Sequence, residues 1–209
     1  GTIESNYTIS KTGGDLTISE NSAEIVVVPG SGSKTYDGTA LTKTAAADFT
    51  VTGVPEGFTW TATADGTVTN VVPGEGEKAE NAVTSFIIYN ADGVDVTAQF
   101  KNIDKSATGT LTITPATVTL TSGSKTREYN GSALTNEEVE GKNANGLTEE
   151  TGWVGEEGAT YEFTGTITTA GAVKNAFSYT LKAGTIESNY TISKTEGDLT
   201  ISENSAEIV

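Results

Sequence analysis

Short runs of alternating apolar and polar residues follow one another along most of the chain. Leu111-Thr112-Ile113 and Tyr190-Thr191-Ile192 show the two-residue period of a strand with one buried and one solvated face. Such runs are rich in β-branched and aromatic residues and are separated by Gly, Asn and Asp. The pattern predicts an all-β protein with strands at residues 23–28, 49–52, 58–64, 83–89, 94–100, 109–114, 117–121, 160–168, 177–182, 189–193 and 198–202.

Turn signals support the same fold class. Asp37-Gly38 and Asn130-Gly131 are predicted to form two-residue hairpin turns, because Asn, Asp and Gly tolerate positive φ. Residues 135–140 are the one segment expected to form a helical turn. Short strands at regular spacing favour small Ig-like β-sandwiches, with a β-grasp-like fold as the alternative.

The chain repeats itself almost without change. Residues 1–26 return as residues 184–209, and the two copies differ only in Gly13 against Glu196. Such self-similarity is typical of tandem repeat proteins.

A weaker repeat lies inside the longer one. Residues 31–42 return as residues 122–135, which places Lys125 opposite Lys34 if two residues are inserted before the second Tyr. Asn175 matches Asn81 further along. We therefore predict the closing strands of a preceding repeat (1–22), a first β module (23–115), a second β module (116–203) and the start of a following repeat (204–209).

Composition and charge exclude several functions. Twelve Lys and Arg residues against 28 Asp and Glu residues give a net charge of −16, which repels nucleic acid and anionic membranes. No apolar stretch has the length that a membrane-spanning helix needs. The chain has no Cys and no His, so it lacks thiol nucleophiles, the commonest general base and the commonest metal ligand. We expect no catalytic residue, no cofactor and no metal.

The motifs of the first half resemble a known family. They are KTYDGTALT at residues 34–42, GVPEGF at 53–58, YNADGVDVT at 89–97 and GTLTITP at 109–115. Together they are similar to the YDG or MBG type tandem repeats of very large, cell-wall-anchored surface proteins of Gram-positive bacteria. The resemblance covers nearly all of residues 23–203 and is looser in the second half, which lacks a Pro-Glu-Gly segment.

The resemblance implies a non-enzymatic, extracellular protein attached to the cell wall. We expect a structural stalk or spacer repeat that extends an adhesive region and contacts neighbouring repeats of the same chain. The alternative is that the modules are themselves adhesins for a host glycoprotein, mucin or polysaccharide. Residues 1–20 are also expected to allow head-to-tail self-association.

Two sets of residues are candidates for special chemistry. Many surface domains of this kind carry Lys–Asn isopeptide crosslinks, for which the candidates are Lys34, Lys125, Asn81 and Asn175. The simpler interpretation of these Lys residues is a charge that protects a strand edge from aggregation. Trp153 and Trp60 are candidates for glycan contact, with core packing as the alternative.

Overall fold

The computed structural model describes residues 6–74 and 78–206, and it confirms the all-β prediction. The strands are β1 (Asn21–Val28), β2 (Gly32–Thr35), β3 (Leu41–Thr42), β4 (Thr50–Thr52), β5 (Thr59–Ala64), β6 (Thr67–Val68), β7 (Ala79–Tyr89), β8 (Phe100–Asp104), β9 (Thr108–Thr114), β10 (Ala116–Thr121), β11 (Lys125–Glu128), β12 (Leu134–Thr135), β13 (Glu149–Thr151), β14 (Ala159–Phe163), β15 (Thr166–Ile167), β16 (Gly171–Lys174), β17 (Phe177–Leu181), β18 (Tyr190–Thr195) and β19 (Asp198–Ser202). Short 3-10 turns occur at Ala46–Asp48, Thr97–Gln99, Asn136–Glu138 and Glu187–Asn189. None of the helical elements in the described ranges has the length and apolar character needed to cross a membrane.

Strands β1 to β9 form three small sheets. Their orders are β4-β1-β8, β2-β9-β7-β5 and β3-β6. The pairs β1·β8 and β2·β9 are parallel, and the other pairs are antiparallel. The first module of the sequence thus has its own closed set of pairings.

Strands β10 to β19 repeat this arrangement. Their orders are β13-β10-β18, β11-β19-β16, β14-β17 and β12-β15, with β10·β18 and β11·β19 parallel. Strands β16 and β17 take the places of the two halves of β7. Among the described residues no strand pairing joins the two sets, which meet at Pro115. The name "module" is used below for residues 23–115 and 116–203.

The buried residues follow the alternation of the sequence. In β1, Ile25 and Val27 are fully buried while Glu24 and Val26 face outwards. In β9, Leu111 and Ile113 are fully buried. A cluster around Ile25, Val27, Phe86, Ile88 and Phe100 forms the centre of the first module. Burial of these side chains supplies the main stabilisation of such a small unit.

The strand register corrects the alignment of the two modules. Lys34 pairs with Ile113, and Arg127 pairs with Ile201, the residue that corresponds to Ile113 in the second module. The structural counterpart of Lys34 is therefore Arg127, and the placement of Lys125 opposite Lys34 is wrong.

Hydrogen bonds confirm the corrected register. Ser31 Oγ accepts from Thr110 N at 2.9 Å, and Ser124 Oγ accepts from Asp198 N at 2.9 Å. Ser31 and Ser124 are therefore equivalent residues. The segment that joins β10 to β11 has the same length as the segment that joins β1 to β2, with no inserted residue. The SGSK segments at residues 31–34 and 122–125 are identical in sequence but not equivalent in structure. The hydrogen-bonded pairing of the strands sets the register, and local sequence identity does not.

Two further expectations differ from the structure. Residues 94–100 are predicted to form a strand, but Asp95 accepts hydrogen bonds from Thr97 N and Oγ1, and residues 97–99 form a 3-10 turn. The strand starts at Phe100 instead. Asp37-Gly38 lies between β2 and β3, and Asn130-Gly131 lies between β11 and β12. Neither pair of residues forms a hairpin, because the strands on its two sides belong to different sheets. Strands β2 and β11 pair instead in parallel with β9 and β19.

The segment before the first module is not a strand in this structure. Residues 8–20 carry no regular secondary structure, and residues 6–20 are exposed at every position. Residues 1–5 of the predicted closing strands and residues 207–209 of the predicted following repeat lie outside the described residues. The predicted helical turn at 135–140 is present as the 3-10 turn Asn136–Glu138.

Candidate functional site: the joint between the modules

The two modules meet in a joint made of a one-residue link and a shared cluster of buried residues. Strand β9 ends at Thr114 and β10 begins at Ala116, so Pro115 is the single residue between them. Proline has a fixed φ and no backbone N–H. The link is therefore short and stiff, and it holds the two modules in contact.

One apolar cluster runs through the joint. The first module contributes Tyr36, Val68, Val71, Leu111 and Ile113, and the second contributes Ala116, Val118, Leu120, Leu147, Phe177 and Tyr190. Leu111, Val118, Leu120 and Leu147 have no exposed area. Because the cluster is continuous, bending the joint would expose apolar area from both modules.

Two tyrosines and one carboxylate form the polar part of the joint. Tyr36 of the first module and Tyr190 of the second pack edge to face, with ring centroids 5.5 Å apart at 82°. The hydroxyl of Tyr36 donates to Glu157 Oε1, and the hydroxyl of Tyr190 donates to Glu157 Oε2 at 2.9 Å. Glu157 therefore bridges a residue of each module.

A second polar contact lies beside the first. Asn189 Oδ1 accepts from Val71 N at 2.8 Å, and Asn189 Nδ2 donates to Asn70 Oδ1 at 2.9 Å. Asn189 has no exposed area. The oxygen and the nitrogen of this buried amide each have a hydrogen-bond partner in the first module. A shift of one module against the other would leave these polar groups unpaired, so the contact fixes one relative position.

A shallow acidic cleft opens at the edge of the joint. It has a volume of about 490 Å³ and is lined by residues 37–39, 154–157 and 183–184. Hydrogen bonds from Lys34 and Thr39 lower the pKa of Asp37 to about 2. In residues 6–74 and 78–206, no group of three or more His, Cys, Asp or Glu side chains is placed to hold a metal ion.

The two candidate glycan-contacting tryptophans are half-buried packing residues in different modules. Trp153 packs against Tyr190 with centroids 4.9 Å apart, and its Nε1 donates to the hydroxyl of Tyr161 at 3.3 Å. Trp60 lies in β5 against Phe86, with centroids 6.1 Å apart. Trp153 thus belongs to the joint, while Trp60 belongs to the core of the first module.

The candidate crosslinking residues are not brought together in the first module. The ammonium group of Lys34 donates to Asp37 Oδ1 and to Thr39 Oγ1, both at 2.6 Å. Asn81 is fully buried, and its amide donates to the carbonyls of Gly30 and Lys43, each at 2.9 Å. The geometry therefore gives Asn81 a role in bracing the backbone.

The second module separates its candidates in the same way. Lys125 forms an ion pair with Glu140. Asn175 is fully buried, and its amide donates to Gly123 O at 2.9 Å and to Asn136 Oδ1 at 2.8 Å. Asn81 and Asn175 are therefore true counterparts, whereas the two lysines are not.

Sequence reasoning missed the joint residues as a group. Tyr36 lies in the KTYDG motif, and Asn189-Tyr190 lies in the segment that the chain repeats. Their presence in repeated motifs is the one sequence feature that marks these residues. Glu157 lies in a Gly- and Glu-rich loop whose composition indicates a solvent-facing segment. The contact between residues so far apart in the chain depends on the register of all the intervening strands.

Comparison with known proteins adds no identification. No protein-family model, no curated protein and no solved structure matches this chain.

We expect the joint to loosen in strong alkali. The hydrogen bond to Glu157 raises the pKa of Tyr36, and burial raises the pKa of Tyr190 to about 12. A raised pKa favours the neutral phenol, so this stabilisation is complete below the ordinary tyrosine value of about 10 and is lost as the pH rises towards the folded value.

The pH dependence is checked by titrating phenolate absorbance. The difference between the wild type and Tyr190→Phe isolates the titration of Tyr190. We expect Tyr190 to titrate above the ordinary tyrosine value in the wild type, and at a lower pH in Glu157→Gln than in the wild type. Titration of Tyr190 at the ordinary value in the wild type would show that the joint is open.

Proposed function

We propose that this chain is a structural spacer, a repeat unit of a stalk on the outside of a bacterial cell wall. The observation that carries the proposal is the continuous core across the joint, combined with a single linking residue. In a repeat protein, contacts between neighbouring units set the stiffness of the whole array. A joint of this kind extends reach without a flexible linker.

The remaining features fit a non-enzymatic role. The acidic composition favours solubility and resists non-specific association. The carboxylate of Glu157 accepts hydrogen bonds from two tyrosine hydroxyls, and these bonds stabilise the joint. The resemblance to YDG or MBG type repeats adds the expectation of a Gram-positive surface protein.

The fold of each module is proposed to be a small Ig-like sandwich. Two sheets, β4-β1-β8 and β2-β9-β7-β5, are available in the first module for such packing. A β-grasp-like fold requires a helix across the sheet, whereas the helical elements within the described ranges are three-residue 3-10 turns.

Tyr36→Ala is expected to turn a rigid pair of modules into a flexible one. The change removes the aromatic contact with Tyr190 and leaves Glu157 without one donor, at a cost of about 3 kcal/mol to the joint. Small-angle X-ray scattering should show a single elongated shape for the wild type and a broader distribution of intermodule distances for the variant. Tyr7→Ala, at an exposed position outside both modules, is the control and should behave as the wild type.

A flexible wild-type chain would contradict the spacer proposal. Glycan-array and mucin-binding measurements address the alternative function on the same samples. Binding by the wild type that Trp153→Ala abolishes would favour an adhesin module, since Trp153 is half-buried and directly precedes Val154, which lines the acidic cleft.

A further inference from the structure

The two Asn-Gly pairs of the chain differ in how far the fold leaves them free to react. They are Asn130-Gly131, between β11 and β12, and Asn145-Gly146, in the loop before β13. The side-chain amide of an Asn can be attacked by the backbone nitrogen of the next residue, and Gly, which has no Cβ, leaves the most open path for this attack. The reactivity of each pair therefore depends on the hydrogen bonds that its amide groups make in the folded protein.

The attacking nitrogen of the first pair is free. Asn130 and Gly131 are exposed, and a Cβ atom at Gly131 would have nothing within 4 Å. Among the residues that the structure describes, none accepts a hydrogen bond from the backbone N–H of Gly131. This nitrogen can therefore lose its proton to solvent and approach the side chain of Asn130 without breaking a bond within the protein.

The amide that this nitrogen would attack is polarised. Asn130 Oδ1 accepts hydrogen bonds from Ser132 N at 3.0 Å and from Nη1 of Arg127. Arg127 is held in this position by a second bond, from its Nη2 to Ser132 O at 2.8 Å. Donors on a carbonyl oxygen stabilise the negative charge that develops there when a nucleophile adds, as in an oxyanion hole. The Cγ atom of Asn130 is therefore activated for attack.

The second pair is held by its neighbours. Gly146 N donates to Asn143 O at 3.1 Å, and Gly146 O accepts from Asn136 Nδ2 at 3.0 Å. Asn145 Nδ2 donates to Glu150 Oε2 at 2.7 Å. The attacking nitrogen and the leaving amide are thus both bound to other residues. The reaction would have to break these hydrogen bonds first, so the fold protects Asn145.

The first module has a carboxylate at the position of Asn130. In the corrected register Lys34 corresponds to Arg127, so Asp37 corresponds to Asn130. Asp37 Oδ1 accepts from Lys34 Nζ at 2.6 Å and from Thr39 N at 2.9 Å. The hydrogen bonds from Lys34 and Thr39 lower the pKa of Asp37, so this arrangement stabilises an ionised carboxylate. The second module can therefore hold a carboxylate in the place of the Asn130 amide.

We propose that Asn130 is a site of spontaneous deamidation, activated by Arg127 and Ser132. Gly131 N forms a bond to Asn130 Cγ, the bond from Cγ to Nδ2 breaks, and the amide leaves as ammonia with the proton that Gly131 N has lost. Water then opens the cyclic succinimide, either at Cγ to give Asp or at the main-chain carbonyl to give isoaspartate. The second module gains one negative charge beside Arg127, whether or not the chain is a spacer.

Peptide mapping by mass spectrometry tests the proposal on the full chain. The chain is incubated in mildly alkaline buffer made with heavy-oxygen water, so that each newly formed carboxylate carries the label. Asn130 should be converted at least about fivefold faster than Asn145, which is the factor that the hydrogen bond of Gly146 N contributes by itself. In denaturant the two rates should become similar, because the fold no longer protects Asn145. Asp37 should take up no label, because its ionised carboxylate is a poor target for a nucleophile.

Substitution of Arg127 tests the activation separately. Arg127→Met removes the charged donor to Asn130 Oδ1 and should slow the conversion of Asn130 by about fivefold. Asn145, measured in the same sample, should keep its rate. Arg127→Lys supplies the cation that the first module has at Lys34, so it should react as the wild type does. Circular dichroism should confirm that both variants are folded, and the comparison of the two Asn-Gly pairs in the wild type needs no variant.

Three results would overturn the proposal. The first is a folded wild-type chain in which Asn130 takes up no label. The second is conversion of Asn130 and Asn145 at the same rate in the folded chain, which would mean that the dipeptide sequence alone sets the reactivity. The third is an unchanged or faster conversion in folded Arg127→Met, which would show that Arg127 does not activate the amide.

Discussion

Asn81→Ala is expected to destabilise the first module by about 4 kcal/mol, because three buried backbone groups lose their partner at once. Asn81 accepts from Gly66 N and donates to the carbonyls of Gly30 and Lys43. It therefore ties three separate backbone segments to β7. Small domains are stable by roughly 5–15 kcal/mol in total, so the variant should be close to unfolding.

The second module contains a matched control for this prediction. Asn175 makes two donor hydrogen bonds, and its Oδ1 has no partner. Asn175→Ala should therefore cost less than Asn81→Ala. Asn102→Ala removes a single exposed bond to Ser22 O and should cost less than about 1 kcal/mol.

Chemical denaturation with fluorescence of the two tryptophans measures these costs, because Trp60 reports on the first module and Trp153 on the second. The expected order of destabilisation is Asn81→Ala, then Asn175→Ala, then Asn102→Ala. Equal effects of Asn81→Ala and Asn102→Ala would contradict the bracing role of the buried amide.

Gly53→Ala is expected to destabilise the first module by at least about 3 kcal/mol, from backbone strain and overpacking together. Gly53 has φ of +82°, and a Cβ atom there would lie 1.8 Å from Glu24 O, in the middle of β1. The backbone of β1 would have to move, and β1 is the central strand of the sheet β4-β1-β8.

Gly57→Ala separates the two contributions. Gly57 has a similar φ of +86°, but a Cβ atom there has nothing within 4 Å. This variant should cost only the left-handed strain of about 1–2 kcal/mol. If thermal unfolding showed the same loss for both variants, the close approach of residue 53 to β1 would not be a constraint.

The two modules show which structural features could be read from local sequence. The alternation of Leu111 and Ile113 with threonine predicted a buried face, and both residues are buried. The match of Asn81 with Asn175 also holds, because Asn81 pairs with Gly109 and Asn175 N donates to the carbonyl of Gly197, the residue that corresponds to Gly109. The match of Lys34 with Lys125 fails, since the ladders with β9 and β19 set the register two residues away from the one that local identity suggested.

The joint could not be predicted because it depends on pairs that are distant in the chain. Tyr36 and Glu157 lie in different modules, and neither has a neighbour in sequence that indicates the other. Their contact follows from the length of β9, the single residue Pro115 and the position of the loop before β14. Each of these is set by pairing with other strands.

The sequence by itself determined the strand-forming character of the chain and its division into repeated units. Period-two alternation, β-branched residues and glycine-rich turns were sufficient for that, because they act over a few residues. Tertiary structure decided whether a given strand-forming segment becomes a strand.

The repeated segment shows this most directly. Residues 189–203 form β18 and β19, whose backbones pair with β10, β11 and β16. Residues 6–20 have the same sequence apart from Gly13. Residues 8–20 nevertheless have no regular secondary structure, and all of residues 6–20 are exposed. A strand gains its hydrogen bonds and its buried face from neighbours, so the same residues are a core element beside those neighbours and an exposed, irregular segment without them.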